Sequence, residues 1–215
     1  MVKLIVCNTK ESRRFPGKNR LLAQITFDWI QEEIKDLKEP VEVYYIQREN
    51  SLSVPLKFDN FNLVYCPDES ADVHLEVFKW FERTYGATDA TYVQLQVTQP
   101  NKRKGLLKDI LDKVTDDNMV LAYSVWDNEH WRIVDNGTLE FEDERSTSGL
   151  SKFYDGSVCA WRGPVEKLFD LKNQRKVWVE NSFAPVCDVD HRFHFNSVYL
   201  TGLQTLTKQN QNEKF

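Results

Sequence analysis

Several familiar chemistries are missing from this sequence. It has no G-x-x-x-x-G-K-[ST] loop, no G-x-S-x-G turn and no C-x-x-C pair. The first absence excludes a Walker phosphate loop, and the second leaves no serine with an identifiable base. Four cysteines (Cys7, Cys66, Cys159 and Cys187) stand far apart, with no C-x-x-C pair and no metal-like cluster with histidine. They lie in or beside apolar runs such as "LIVC" and "LVYC", so buried free thiols and a reducing, cytoplasmic setting are expected. His74, His130, His191 and His194 fall into no ligand or nucleophile pattern. No apolar stretch is long enough to span a bilayer, and the opening "MVKLIVCNTK" has no signal-peptide core. A net charge of −5 gives no general attraction to nucleic acid, so any anion site must be local. The expected partners are small molecules, with neither nucleic acid nor membrane among them.

What is present is a regular alternation of apolar runs and amphipathic segments. "KLIVC" (3–7), "VEVYYI" (41–46), "NLVYC" (62–66) and "TYVQLQV" (91–97) read as strands. Helices are expected over 21–37, 71–85 and 105–114. The first places Leu22, Ile25, Trp29, Ile30, Ile34 and Leu37 on one face. Strands separated by helices imply parallel pairing, so the expected fold class is α/β, a mostly parallel sheet flanked by helices. After residue 118 the pattern changes. "MVLAYSVW", "HWRIV" and "TLEFE" read as a small antiparallel excursion, and "EDERSTSGLSK" as a loop. The earlier pattern returns with a strand at "GSVCAWR", a helix at "PVEKLFDL", a strand at "KVWVEN" and a closing helix near 193–206. A length of 215 residues suits one domain, 1–215, with an inserted arm at about 124–154.

The densest chemistry follows the first strand. "SRRFPGKN" (12–19) carries Arg13, Arg14 and Lys18 and no acid, although a turn would need only Pro16 and Gly17. In an open α/β sheet, ligands collect beyond the carboxyl ends of strands, where helix N-termini offer free N–H groups. Such a loop fits a triphosphate; a solvated charged turn is the plain alternative. "CDVDHRFHF" (187–195) holds Asp188 and Asp190 two apart, which on a strand end turns both carboxylates to one side for a divalent cation. Asp190 as a simple helix cap is the alternative there. "YVQLQVTQP" leaves its strand with Gln96, Thr98 and Gln99, groups able to read a base or a sugar, although any polar loop looks similar.

Taken together and in order, these stretches resemble the cytidylyltransferases that make CMP-sugars. The nearest likeness is to acylneuraminate (CMP-sialic acid) synthetases, with CMP-Kdo synthetases further off. The family's first loop ends in Arg-Leu-Pro-Gly-Lys-Asn, matched here at Arg14, Pro16, Gly17, Lys18 and Asn19. Its Leu-Gln-Pro-Thr-Ser-Pro segment is similar to "LQVTQP", which puts its glutamine at Gln96. Its Arg-Pro-x-Glu-Leu-Ala segment is echoed in "CPDESA" and its Asn-Gly-Ala-Ile-Tyr strand in "DGSVCA". Its late Asp-Ile-Asp matches Asp188 and Asp190, so the collinear set runs over about residues 2–204.

The resemblance implies a Rossmann-like fold of the nucleotide-diphospho-sugar transferase type. It also implies Mg²⁺-dependent transfer of CMP from CTP to a sugar or sugar-acid hydroxyl, with release of pyrophosphate. Arg14 and Lys18 would hold the β- and γ-phosphates, with Asn8, Lys10, Arg13, Asn19 and Gln96 around the nucleotide. Gln96, Thr98, Arg145 and Asp155 would meet the acceptor. Asp188 and Asp190 would hold Mg²⁺, and Asp190 would also orient the attacking hydroxyl. The arm would cross a homodimer, burying Trp126, Trp131 and Phe141 and bringing Arg145 to the partner's pocket. The departures are informative. Two family arginines fall on Thr9 and Cys66, and Asn-Gly has become Asp155-Gly156. They imply a different acceptor, with a catalytically silent homologue or a glycosyltransferase of related fold as the alternatives.

Overall fold

An apolar run buried on both faces belongs inside a layered fold, and the sequence opens with one. It forms β1 (Val2–Asn8), whose Val2, Leu4, Ile5 and Val6 are fully buried. The computed structural model describes residues 1–8, 18–49, 60–71, 73–87, 89–127, 130–133, 139–142, 150–169 and 174–183. Side chains are described for all of these except 18–21, 124–127, 130–133, 139–142, 150–156 and 182–183. After β1 come α1 (Lys18–Glu33), a 3-10 turn (Ile34–Asp36), β2 (Val41–Arg48), β3 (Asn62–Cys66), α2 (Asp68–Ala71) and α3 (His74–Tyr85). Then follow β4 (Thr91–Gln96), α4 (Leu106–Leu111), β5 (Asn118–Asp127), β6 (His130–Ile133) and β7 (Leu139–Glu142). The series closes with β8 (Leu150–Arg162), α5 (Glu166–Phe169) and β9 (Arg175–Phe183).

Among the described residues, seven strands form one sheet in the order β3-β2-β1-β4-β8-β5-β9. Strands β6 and β7 pair antiparallel in a second, two-stranded sheet, with Trp131 opposite Phe141. Within the large sheet β3, β2, β1 and β4 run parallel, as do β5 and β9. Strand β8 alone runs against its neighbours, β4 and β5. The mostly parallel α/β sheet expected from the sequence is what forms, with one strand reversed.

Helices cover both faces. On one, Leu22, Ala23, Phe27 and Ile30 of α1 and Leu106, Leu107 and Ile110 of α4 pack on Leu4, Val6, Val93, Leu95, Val120 and Val158. On the other, Val77, Phe78 and Phe81 of α3 and Leu168 of α5 pack on Ile5, Tyr44, Ile46, Tyr92, Met119 and Trp161. Aromatic pairs add directional contacts to each layer. Phe27 meets Tyr45 edge-on at 5.3 Å, and Tyr92 stacks on Trp161 at 5.5 Å.

The structure corrects several readings of the sequence. "MVLAYSVW" begins no separate excursion. Its first half is an interior strand, with Met119, Val120, Leu121 and Ala122 buried, as an unbroken apolar run between two helical layers requires. The loop expected over 142–152 stops sooner, because β8 starts at Leu150 and continues for 13 residues. The helix expected at 71–85 divides into α2 and α3, with Val73 in extended backbone between them. Ile25 is 36% exposed, and Ala23 and Phe27 take its place on the apolar face of α1. The helix expected at 105–114 contracts to α4, and that expected at 164–171 starts at Glu166 as α5, with 170 and 171 outside the described residues. The closing helix near 193–206 lies outside the described residues.

One contact within the first helical layer, between α1 and α4, positions the later site. Gly105 precedes α4 with φ 77, a left-handed conformation that favours glycine, and so the helix begins without a capping side chain of its own. Glu33, at the end of α1 and only 6% exposed, supplies the cap. Its two carboxylate oxygens accept the amides of Gly105 at 2.6 Å and Leu107 at 2.9 Å. Charge-assisted bonds of this kind contribute roughly 1.5–3 kcal/mol each when buried. Glu33→Ala should therefore lower unfolding stability in urea by about 2–3 kcal/mol, and Glu33→Gln by less. A loss below about 0.5 kcal/mol in the alanine variant would contradict this role.

Candidate active site

The path of the chain through the sheet reverses at β1. Strands β2 and β3 lie on one side of it, and β4 with the later strands on the other. In open α/β sheets ligands bind beyond the carboxyl ends of the strands where the strand order reverses, which here is the edge at the ends of β1 and β4. Register decides which residues stand there. Asn8 is level with Gln47 on β2, Cys7 with Gln96 at the end of β4, and Cys66 with Arg48. Lys18 and Asn19 form the first turn of α1, the helix that follows β1. Among the residues expected at the site, Asn8, Gln96 and Thr98 are thus brought to one edge. Lys10, Arg13, Arg14, Arg145, Asp188 and Asp190 lie outside the described residues, as do the side chains of Lys18, Asn19 and Asp155.

The polar groups at this edge are unevenly satisfied. The Asn8 amide donates to the Tyr45 hydroxyl at 2.8 Å. In contrast, Gln47 Oε1 and Thr98 Oγ1 are buried with no hydrogen-bond partner. Buried polar atoms without partners are destabilising; these two flank β1, and Thr26 Oγ1 and Trp161 Nε1 are buried without partners elsewhere.

The turn after β4 is held from several directions. Lys102 Nζ donates to the carbonyls of Gln96 at 3.0 Å and Gln99 at 2.5 Å, folding the segment back on its own strand end. Trp29 Nε1, from α1, donates to the Arg103 carbonyl at 3.0 Å. Asn181, from β9, accepts the Arg103 amide at 3.0 Å and donates to the Asn101 carbonyl at 2.6 Å. Arg103 Nε reaches the Glu180 carbonyl at 2.7 Å.

Two irregularities in the sheet make these contacts possible. Leu121 pairs with Cys159 but Tyr123 with Tyr154, so Asp155, Gly156, Ser157 and Val158 of β8 stand against Ala122 alone. On the other side of β5, Tyr123 pairs with Glu180 and Ser124 with Ser182, leaving Asn181 as the extra residue. Bulges re-aim side chains and are frequent beside active sites. Sequence reasoning missed Gln47, Lys102, Ser157 and Asn181. The basic run "NKRKG" was the one visible signal, whereas a bulge has no sequence pattern of its own.

No protein-family model matches the sequence, and no curated protein matches it. Solved structures share its fold. The 4-diphosphocytidyl-2C-methyl-D-erythritol synthase of Anaerococcus prevotii is similar with a TM-score of 0.58 and 13% identity, covering 93% of this chain and 98% of that one. A CMP:2-keto-3-deoxy-manno-octonic acid synthetase complexed with CTP is similar with a TM-score of 0.52 and 12% identity, covering 97% and 99%. Rv0371c of Mycobacterium tuberculosis, in complex with manganese, gives 0.53 and 10%, covering 91% and 96%. At these identities the likeness establishes the fold alone, a seven-stranded, mostly parallel sheet flanked by helices.

Cys66, where the sequence resemblance expects an arginine, ends β3 in full burial. Burial, with a smaller push from Cys7, raises its thiol from about 9 to about 11. At neutral pH it is a protonated, inert thiol and neither a nucleophile nor a metal ligand. The folded protein keeps this proton to higher pH than the unfolded chain. Its contribution is thus complete below about pH 9 and is lost as pH rises towards 11. Urea midpoints measured across that range should fall more steeply in the wild type than in Cys66→Ala. Parallel pH profiles would show that the thiol is not buried as described.

Proposed function

We propose that the protein is a Mg²⁺-dependent cytidylyltransferase that moves CMP from CTP onto a sugar or sugar-acid hydroxyl and releases pyrophosphate. The observation that carries this reading is the acid-free basic segment Arg13–Lys18, set between the end of β1 and the first turn of α1. Anions are stabilised at such a place by helix N–H groups and fixed cations. Gln96 and Thr98, at the end of the neighbouring strand β4, supply neutral groups for a base or sugar. The printed names of two structures with this fold, a diphosphocytidyl-methylerythritol synthase and a CMP-octonic acid synthetase complexed with CTP, support cytidylyl chemistry.

In this reading Arg14 and Lys18 hold the β- and γ-phosphates, while Asn8, Lys10, Arg13, Asn19 and Gln96 surround the nucleotide. The acceptor hydroxyl, guided by Gln96, Thr98, Arg145 and Asp155, attacks the α-phosphorus in line. The new oxygen–phosphorus bond forms as the bond to pyrophosphate breaks, and the hydroxyl proton passes toward Asp190. Nucleotidyl transfer needs positioning and charge neutralisation more than covalent help, which suits a site of cations and carboxylates. Asp188 and Asp190 are all-oxygen donors of the kind Mg²⁺ takes, and β9 ends at this edge five residues before the first of them. The ion would neutralise phosphate charge.

The arm at about 124–154 is read as crossing a homodimer, with Trp126, Trp131 and Phe141 buried between subunits; a monomer in light scattering would refute it. Thr9 and Cys66 in place of arginines favour an acceptor other than N-acetylneuraminic acid. A second reading takes a sugar phosphate as acceptor, as the name of the Anaerococcus structure favours. Screening nucleoside triphosphates against sugars for pyrophosphate release, followed by phosphorus NMR, separates these. We expect CTP to be consumed and the sugar nucleotide to contain one phosphorus. Two phosphorus atoms would establish the second reading. Nucleotide binding without turnover would identify a silent homologue, and consumption of a nucleotide-sugar a glycosyltransferase.

A further inference from the structure

Among the residues that no sequence motif singled out, Asn181 has the most unusual setting. It is 2% exposed, it is the extra residue of β9 in the register with β5, and its carboxamide reaches groups outside its own strand. Oδ1 accepts the Arg103 amide at 3.0 Å. Nδ2 donates to the Asn101 carbonyl at 2.6 Å and to Ser157 Oγ at 3.3 Å. Ser157 itself stands in the β8 irregularity, one strand beyond β5. One side chain thus joins the turn after β4, the distorted part of β8 and the end of β9.

We propose that Asn181 is a positioning residue. It holds the turn after β4, through Asn101 and Arg103, in register with the end of β9, so that Gln96 and Thr98 are set on a fixed turn. This inference rests on the cytidylyltransferase reading of the same site.

The chemistry of the joint selects asparagine. One oxygen must accept an amide hydrogen while one nitrogen donates twice, which only a carboxamide does. Aspartate keeps the acceptor and loses both donors. Leucine, close in volume, loses all three bonds and leaves buried partners unsatisfied. Glutamine places the same groups one methylene further out. Glu180 strengthens the link, because its carbonyl takes Arg103 Nε at 2.7 Å. Arg103 is consequently pinned by two consecutive residues of β9, while its own carbonyl is held by Trp29 from α1. The joint touches the turn that carries Gln96 and Thr98, whereas phosphates are expected at α1's first turn. Loosening it should disturb nucleoside recognition and leave phosphate binding intact.

That split provides the test. The full chain would be compared as wild type, Asn181→Asp and Asn181→Leu, using CTP and inorganic tripolyphosphate as separate probes by calorimetry. Amide hydrogen exchange at Arg103 would be followed in parallel. We expect the Leu variant to lose about tenfold or more in CTP affinity while tripolyphosphate changes by less than about twofold. The Asp variant should lose less, since its acceptor still holds the Arg103 amide, and only the Leu variant should show fast exchange there. If the Leu variant does not fold, the Asp variant decides, with a selective loss for CTP expected. Unchanged CTP affinity, or equal losses for both probes, would overturn the positioning role. A wild-type protein that binds tripolyphosphate but ignores CTP would instead overturn the parent reading, and this inference with it.

Discussion

The turn from Val97 to Gly105 leaves the sheet with backbone groups that no strand can pair, and the rest of the site depends on how they are satisfied. Lys102 supplies partners from within the turn, and the others come from neighbouring elements. Lys102 ties the turn to the end of β4, Trp29 and Glu33 reach it from α1, and Asn181 reaches it from β9. A polar segment at a crevice would ordinarily be loose, because exposed backbone bonds exchange with water at little cost. Here the segment is anchored by side chains that are themselves packed between layers. The consequence is a rigid platform where the chain reverses direction through the sheet.

Rigidity of that kind suits the proposed chemistry. A group transfer between phosphate and hydroxyl oxygens gains most from holding both reactants in line, and a displacement of about 1 Å can remove a large part of the rate. The whole molecule is acidic, and its basic runs "SRRFPGK" and "NKRKG" each follow a strand that ends at this edge in the sequence. In the proposed reading they supply the local positive charge that a small polyanion needs.

Much of this architecture was legible from the residues. Unbroken apolar runs marked β1, β2 and β4 because strands covered on both faces must be apolar throughout. The reversed β8 was not legible, since pairing direction leaves no trace in a short apolar strand. The core half of β5 was misread for a related reason. Its apolar residues are continuous with the more polar "YSVW", and periodicity alone does not show where a strand leaves the core. At the site, the basic loop, Gln96 and Thr98 could be singled out by residue type and position. Asn181 could not, because its role arises from one extra residue in β9 relative to β5, a property of pairing between strands. Gln47 was equally hidden, as an amide ending a strand reads as surface until burial is known.

The central claim is that the nucleotide lies at the carboxyl edge between β1 and β4. Amide hydrogen exchange with and without CTP tests it most directly. The account predicts slowed exchange at Asn8, at Val97–Gly105 and in the first turn of α1, with no change at the opposite edge around Val2 and Thr91. Protection confined to that opposite edge or to the β6–β7 sheet, or none at saturating CTP, would contradict it.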